Sequence, residues 1–120
     1  MSKSTEKQLL VDKIVEAIQD TKGEDIQIFD LSGIENSVAD TFVICSGNSN
    51  TQVSAIAGNI EKKVRNDIRE RPWHVEGTEN AMWVLVDYVS VVVHVFQKQI
   101  RDYYDIEELC GDAKITKIES

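Results

Sequence analysis

The succession of hydrophobic patterns in this 120-residue chain predicts an α/β (α+β) domain built on a mixed five-stranded sheet covered by helices. Three observations predict it. Two long segments repeat apolar residues at helical spacing. Five short segments are rich in β-branched and aromatic residues. One strand–helix–strand crossover is followed by a hairpin, which mixes parallel with antiparallel pairing.

The elements follow in order. Leu9, Leu10, Ile14, Val15 and Ile18 recur at helical spacing over residues 5–21, and Lys22-Gly23 ends the run. Ser4 or Thr5 is placed to cap that helix. IQIFDL, residues 26–31, alternates as a strand, and Ser32-Gly33 marks a turn. DTFVICS, residues 40–46, is a more continuous apolar run, as in a central strand buried on both faces. In SGNSNTQV the strand breaks. Ser49 or Asn50 supplies an N-cap oxygen, and Val53, Ile56, Ala57, Ile60 and Val64 form a helical stripe to about Asp67. Pro72 stops any continuation. WHVE (73–76) reads as a short strand and Gly77–Asn80 as a loop. Residues 82–88 and 91–96 read as two strands around a very short turn, and residues 98–109 as one or two short helices stopped by Gly111. KITKIES carries too little apolar surface for a further element, so it is expected to fray or to pair at an edge. The expected organisation is one domain over 1–113 and a tail over 114–120.

Composition narrows the class. Hydrophobic residues make up 42%, which fits a globular domain. No apolar run approaches the roughly 20 residues of a membrane span. The start, MSKSTEKQ, is polar and lacks an apolar signal region, so the expected compartment is the cytoplasm. Thirteen basic and 21 acidic residues give a formal charge of −8. Such a field disfavours a nucleic-acid binder held by phosphate contacts and suits a basic protein partner. Cys45 and Cys110 lie far apart without metal-site or disulfide spacing, so both are expected as free thiols.

WVLVDYVSVVVHVF, Trp83 to Phe96, is the most informative stretch. A two-residue turn at Val89-Ser90 sets Val84 against Val95, Val86 against Val93 and Tyr88 against Val91, which is a plain core face. The other face then pairs Trp83 with Phe96, Leu85 with His94 and Asp87 with Val92. Two aromatics, a leucine, an acid and an imidazole suit either a protein-docking surface or a face buried with its polar groups satisfied. Val-Ser is poor chemistry for a primed turn, so the register hangs on that turn.

Catalytic patterns are thin. Asp87 and His94 with Ser46 or Ser90 suggest a hydrolase triad only by residue type, with no GxSxG elbow. His74 and His94 lack metal-ligand spacing. SGNSN precedes a helix in the manner of an anion-binding turn but lacks the Walker lysine and the GxGxxG pattern. Asp25 and Asp30 are not joined by the further carboxylates that two-metal nucleotidyl transfer needs. No catalytic residue, metal site or cofactor is expected. The charged run EKKVRNDIRER reads as a solvated helix face.

ADTFVICSGNSNTQVSAIAGNIEKKV, HVEG, WVLVDYVSVVVHVF and YYDIEELCGDA together resemble the ribosomal silencing factor family, also called the Iojap family, collinearly from about residue 8 to residue 113. The resemblance implies a fold similar to nucleotidyltransferases but without their catalytic carboxylates. It implies a non-enzymatic translational repressor that binds the large ribosomal subunit through ribosomal protein fourteen and blocks subunit joining, and it implies homodimers. It carries partner-binding roles onto Trp83, Leu85, Asp87, Tyr88, His94 and Phe96, with Arg101 and Tyr104 as lesser contributors. The sequence departs from the family pattern at Val89-Ser90 (usually Gly-Asp), Thr41 (commonly aromatic) and Cys110 (usually Trp). The alternative function is a degenerate nucleotidyltransferase-like enzyme that holds a nucleotide at the SGNSN turn.

Overall fold

The structure is a computed structural model and describes residues 3–34, 39–103, 111 and 113–118. Among these residues nine elements follow one another: α1 (Lys3–Asp20), β1 (Glu24–Asp30), β2 (Thr41–Gly47), α2 (Asn50–Ile68), β3 (His74–Glu76), β4 (Trp83–Asp87), β5 (Val91–Gln97), α3 (Lys98–Tyr103) and β6 (Lys114–Ile118). The strands form one sheet in the order β3-β4-β5-β2-β1-β6. Only β2 and β5 run parallel among these neighbours; the other pairs are antiparallel. β2 lies in the middle and is buried along almost its whole length, as its continuous apolar run predicts.

The sheet has six strands where the sequence predicts five. The sixth is β6, inside what reads as a tail: Lys114–Ile118 pairs antiparallel with β1 from Asp30↔Lys114 to Ile26↔Ile118. KITKI is weakly apolar, but β1 offers a free edge of backbone donors and acceptors, and pairing satisfies them. Ile115 and Ile118 then pack against opposite clusters of the core. The expected helical region beyond Tyr103, and Cys110 with it, lies outside the described residues.

Helices α1 and α2 cover one face of the sheet. Ile14, Ala17 and Ile18 of α1 and Val53, Ile56, Ile60 and Val64 of α2 pack on Ile26, Val43, Cys45 and the hairpin valines. Polar contacts fix the two helices to each other. Lys13 reaches Asp67 of α2 at 3.4 Å, Lys63 reaches Asp20 of α1 at 3.6 Å, and the Asn59 amide donates to the Ala17 carbonyl at 2.9 Å. Cys45 is enclosed here, and burial pushes its thiol up to about 12, which leaves it a small hydrophobe.

Candidate functional site

The β4–β5 hairpin has the register counted from its sequence: Trp83↔Phe96, Val84↔Val95, Leu85↔His94, Val86↔Val93 and Asp87↔Val92. Its turn is not a primed one. The Ser90 N–H donates to the Tyr88 carbonyl at 3.0 Å across a single residue, Val89, whose φ is +75°. That is a γ-turn, a strained conformation for a β-branched residue. Its surroundings hold it. Asp87 Oδ1 accepts the Val89 N–H at 2.7 Å, and the Ser90 carbonyl accepts the N–H groups of Asp40 and Thr41 at 2.9 and 3.1 Å. Thr41 is buried, and its backbone N–H is thus part of the clamp on the hairpin tip.

Alternation sends Val84, Val86, Tyr88, Val91, Val93 and Val95 to the helix-covered face, all of them buried. Tyr88 therefore sits across the sheet from Trp83. Its hydroxyl has no hydrogen-bond partner among the described residues, and burial pushes its pKa well above the usual phenol value.

The other face holds a second cluster. Phe96, Ile44, Phe29 and Leu31 are buried in it, and Phe42, Trp83, Ile100 and Ile115 are partly buried against them. Trp83 stacks on Phe96 with ring centroids 4.7 Å apart, and Phe42 meets His94 edge-on at 4.7 Å. The Trp83 indole Nε1 donates to His94 Nδ1 at 3.1 Å. An indole nitrogen only donates, so Nδ1 must be the bare nitrogen and the proton sits on Nε2. Nε2 is buried without a hydrogen-bond partner among the described residues, and His94 is 8% exposed. Burial lowers the His94 pKa to about 4, against a weaker opposing pull from Asp87. The imidazole is neutral at pH 7 and locked by the indole.

The catalytic alternatives do not assemble on this geometry. Asp87 accepts from the Val89 backbone and His94 from Trp83. The Ser46 hydroxyl accepts from Arg101 at 2.8 Å. His74, at the sheet edge, meets Glu76 at 2.7 Å. At the SGNSN turn the chain caps part of its own helix start. Ser49 Oγ accepts the Gln52 N–H, the Ser49 carbonyl accepts the Val53 N–H, and Gln52 Oε1 accepts the Asn48 N–H at 2.7 Å. Ser49 thus serves as an ordinary N-cap, the role its hydroxyl suits at a strand–helix turn.

A family model for RsfS, ribosomal silencing factor during starvation, matches residues 3–120. The chain belongs to this family. It is similar to ribosomal silencing factors RsfS from Halalkalibacterium halodurans (44% identical, covering 93% of this chain and 94% of the relative) and Bacillus subtilis (46% identical, covering 86% of each). A crystal structure of a Chromobacterium violaceum protein superposes with a TM-score of 0.82 at 37% identity, over 94% of this chain and 92% of that one. RsfS is described by ribosome silencing, a regulatory role rather than a catalytic one.

The residues onto which the RsfS resemblance carries partner binding do not all share one surface. Trp83, Leu85 and Asp87 are partly buried on the aromatic face, each with some surface open to solvent. His94 and Phe96 lie beneath them, enclosed, and Tyr88 lies in the core on the opposite face. Arg101 is turned inward: its guanidinium donates to the Asp25 carbonyl at 2.7 Å, to Ser46 Oγ at 2.8 Å and to Gln27 Oε1 at 2.8 Å, which fastens α3 across β1 and β2. Tyr104 lies outside the described residues.

Two contributors escape the sequence reading. Phe42 joins the aromatic face, hidden by the continuous apolar run of β2. Gly77 takes φ +85°, and a Cβ there would collide with the Trp83 carbonyl, so only glycine lets the β3–β4 connection set Trp83 in place. The HVEG motif contains the glycine, but nothing in its spacing discloses that contact.

Proposed function

We propose that this RsfS chain is a ribosome-associated translational silencer that acts by occupancy. It docks on the large ribosomal subunit through ribosomal protein fourteen and excludes the small subunit, with no bond made or broken. The observation that carries the reading is the aromatic face: a partly exposed Trp83 stacked on a rigid, enclosed Phe96 and pinned by a neutral His94. A large ring on a preorganised base is the form of an interface anchor. Leu85, Asp87 and Phe42 surround it, the carboxylate being the group that orients a basic partner. The overall charge of −8 favours a basic ribosomal protein over bare RNA at this face. Direct contact falls to Trp83, Leu85 and Asp87. His94 and Phe96 act through Trp83, and Arg101 acts through the placement of α3.

Purified large subunits sedimented with the chain test this. Wild type is expected to co-sediment and to slow joining of added small subunits. A wild-type chain that stays in the supernatant contradicts the reading.

A further inference from the structure

A second tryptophan stands apart from the docking face. Trp73 is 78% exposed. It is not a loose residue. Pro72 restrains the chain before it, and its own N–H donates to the Asp87 carbonyl at 2.7 Å, at the entry to the edge strand β3. Val75, two residues on, packs into the helix-covered core, so strand alternation turns Trp73 to the α2 side of the sheet, away from Trp83. There a groove of about 510 Å³ runs between α2 and β3, lined among others by Arg65, Arg71, Trp73 and Glu61.

The charge around this groove departs from the rest of the chain. Five of its 13 basic residues fall within positions 62–71: Lys62, Lys63, Arg65, Arg69 and Arg71. Lys63 is paired with Asp20 and Asp67. The other four form no ion pair among the described residues. Of the four carboxylates over residues 61–76, Asp67 is held by Lys13 and Lys63, and Glu76 by His74. The groove itself is lined by two of these cations, Arg65 and Arg71, against one carboxylate, Glu61, in a molecule whose net charge is −8.

We propose that Trp73, Arg65 and Arg71 form a binding platform for single-stranded RNA. The indole offers a flat ring for a base to stack on, and the guanidiniums meet the flanking phosphates. An acidic peptide uses the cations alone, whereas a nucleobase also stacks on the exposed indole beside them, which is why RNA fits the groove better. This surface lies across the sheet from the docking face and does not depend on the identity of the protein partner there.

Fluorescence anisotropy of a labelled oligouridylate of about a dozen nucleotides, titrated with the purified chain at low salt, tests it. Wild type is expected to bind saturably. Trp73→Ala is expected to weaken binding about tenfold or more, and Trp73→Phe to retain most of it. Arg65→Gln and Arg71→Gln each should flatten the slope of affinity against salt by about 0.7. Thermal melts of all four variants are expected to match wild type, because these side chains lie at the surface. Absence of saturable binding by wild type overturns the proposal, as does Trp73→Ala binding like wild type. Displacement of the RNA by polyglutamate of equal charge at equal concentration overturns it too, and assigns the groove to acidic protein instead.

Discussion

The two faces of the β4–β5 hairpin are made by the same strands and have opposite characters. One is five valines and a tyrosine pressed under α1 and α2. The other is an aromatic stack with a buried imidazole below and a partly exposed indole, leucine and carboxylate above. The valine face needs only volume, because branched aliphatic side chains pack without directional demands. The aromatic face needs orientation. Trp83 is held by a ring stack, by a hydrogen bond to His94 and by the glycine at position 77 behind its backbone. A side chain held on three sides, with part of its ring still reaching solvent, suits the interface anchor proposed for Trp83.

Deleting side chains on each face separates support from packing. Phe96→Ala should have the largest effect, about 3 to 5 kcal/mol of stability, since its ring is fully enclosed and Trp83 loses its base. Urea unfolding measures it. Val93→Ala should cost about 2 to 3 kcal/mol, yet leave large-subunit binding intact in the fraction that stays folded. If Val93→Ala abolishes binding while folded, the division between the faces is wrong.

Acid provides a test confined to the aromatic face. The folded pKa of His94 is lowered to about 4, below the unfolded value of about 6.5. Its contribution is therefore fully present above pH 6.5 and is lost as pH falls towards 4, because the unfolded chain takes up the proton first. The loss between pH 7 and pH 5 is on the order of 2 kcal/mol. His94→Phe should remove that part of the pH dependence, seen as a smaller shift in urea midpoint between the two pH values. An equal shift in both proteins would mean that His94 is not buried neutral.

The turn that joins the faces should show the smallest effect. Val89 is 63% exposed at φ +75°. Val89→Gly relieves the strain and should raise stability by about 1 kcal/mol or less, partly offset by the greater freedom of glycine when unfolded. A loss of stability would indicate that the γ-turn is not the native conformation.

How far the sequence discloses all this follows from period. α1, α2 and the hairpin register were legible because 3.6- and 2-residue patterns persist there over many residues. Ser49 was legible as a cap because its hydroxyl suits the helix start. β6 was legible only as a segment left to fray or to pair at an edge, since its stability comes from the free edge of β1, a partner 84 to 92 residues away in sequence. The site was half legible. Counting across the turn separated Trp83 and His94 from the valines. It did not disclose that His94 and Phe96 are floor rather than surface, because burial on the second face depends on Phe29, Leu31 and Ile44 from other strands. Arg101, expected at the partner surface, instead bonds Asp25, Ser46 and Gln27, a set of acceptors that no local pattern links.

The central claim, that the aromatic face docks the large ribosomal subunit through Trp83, is tested most directly by co-sedimentation of Trp83→Ala with purified large subunits beside Val93→Ala and wild type. The expected result is binding by wild type and folded Val93→Ala, and a loss of about 2 kcal/mol or more for Trp83→Ala, roughly thirtyfold in affinity. Trp83→Ala that pellets with the subunits as well as wild type would contradict it.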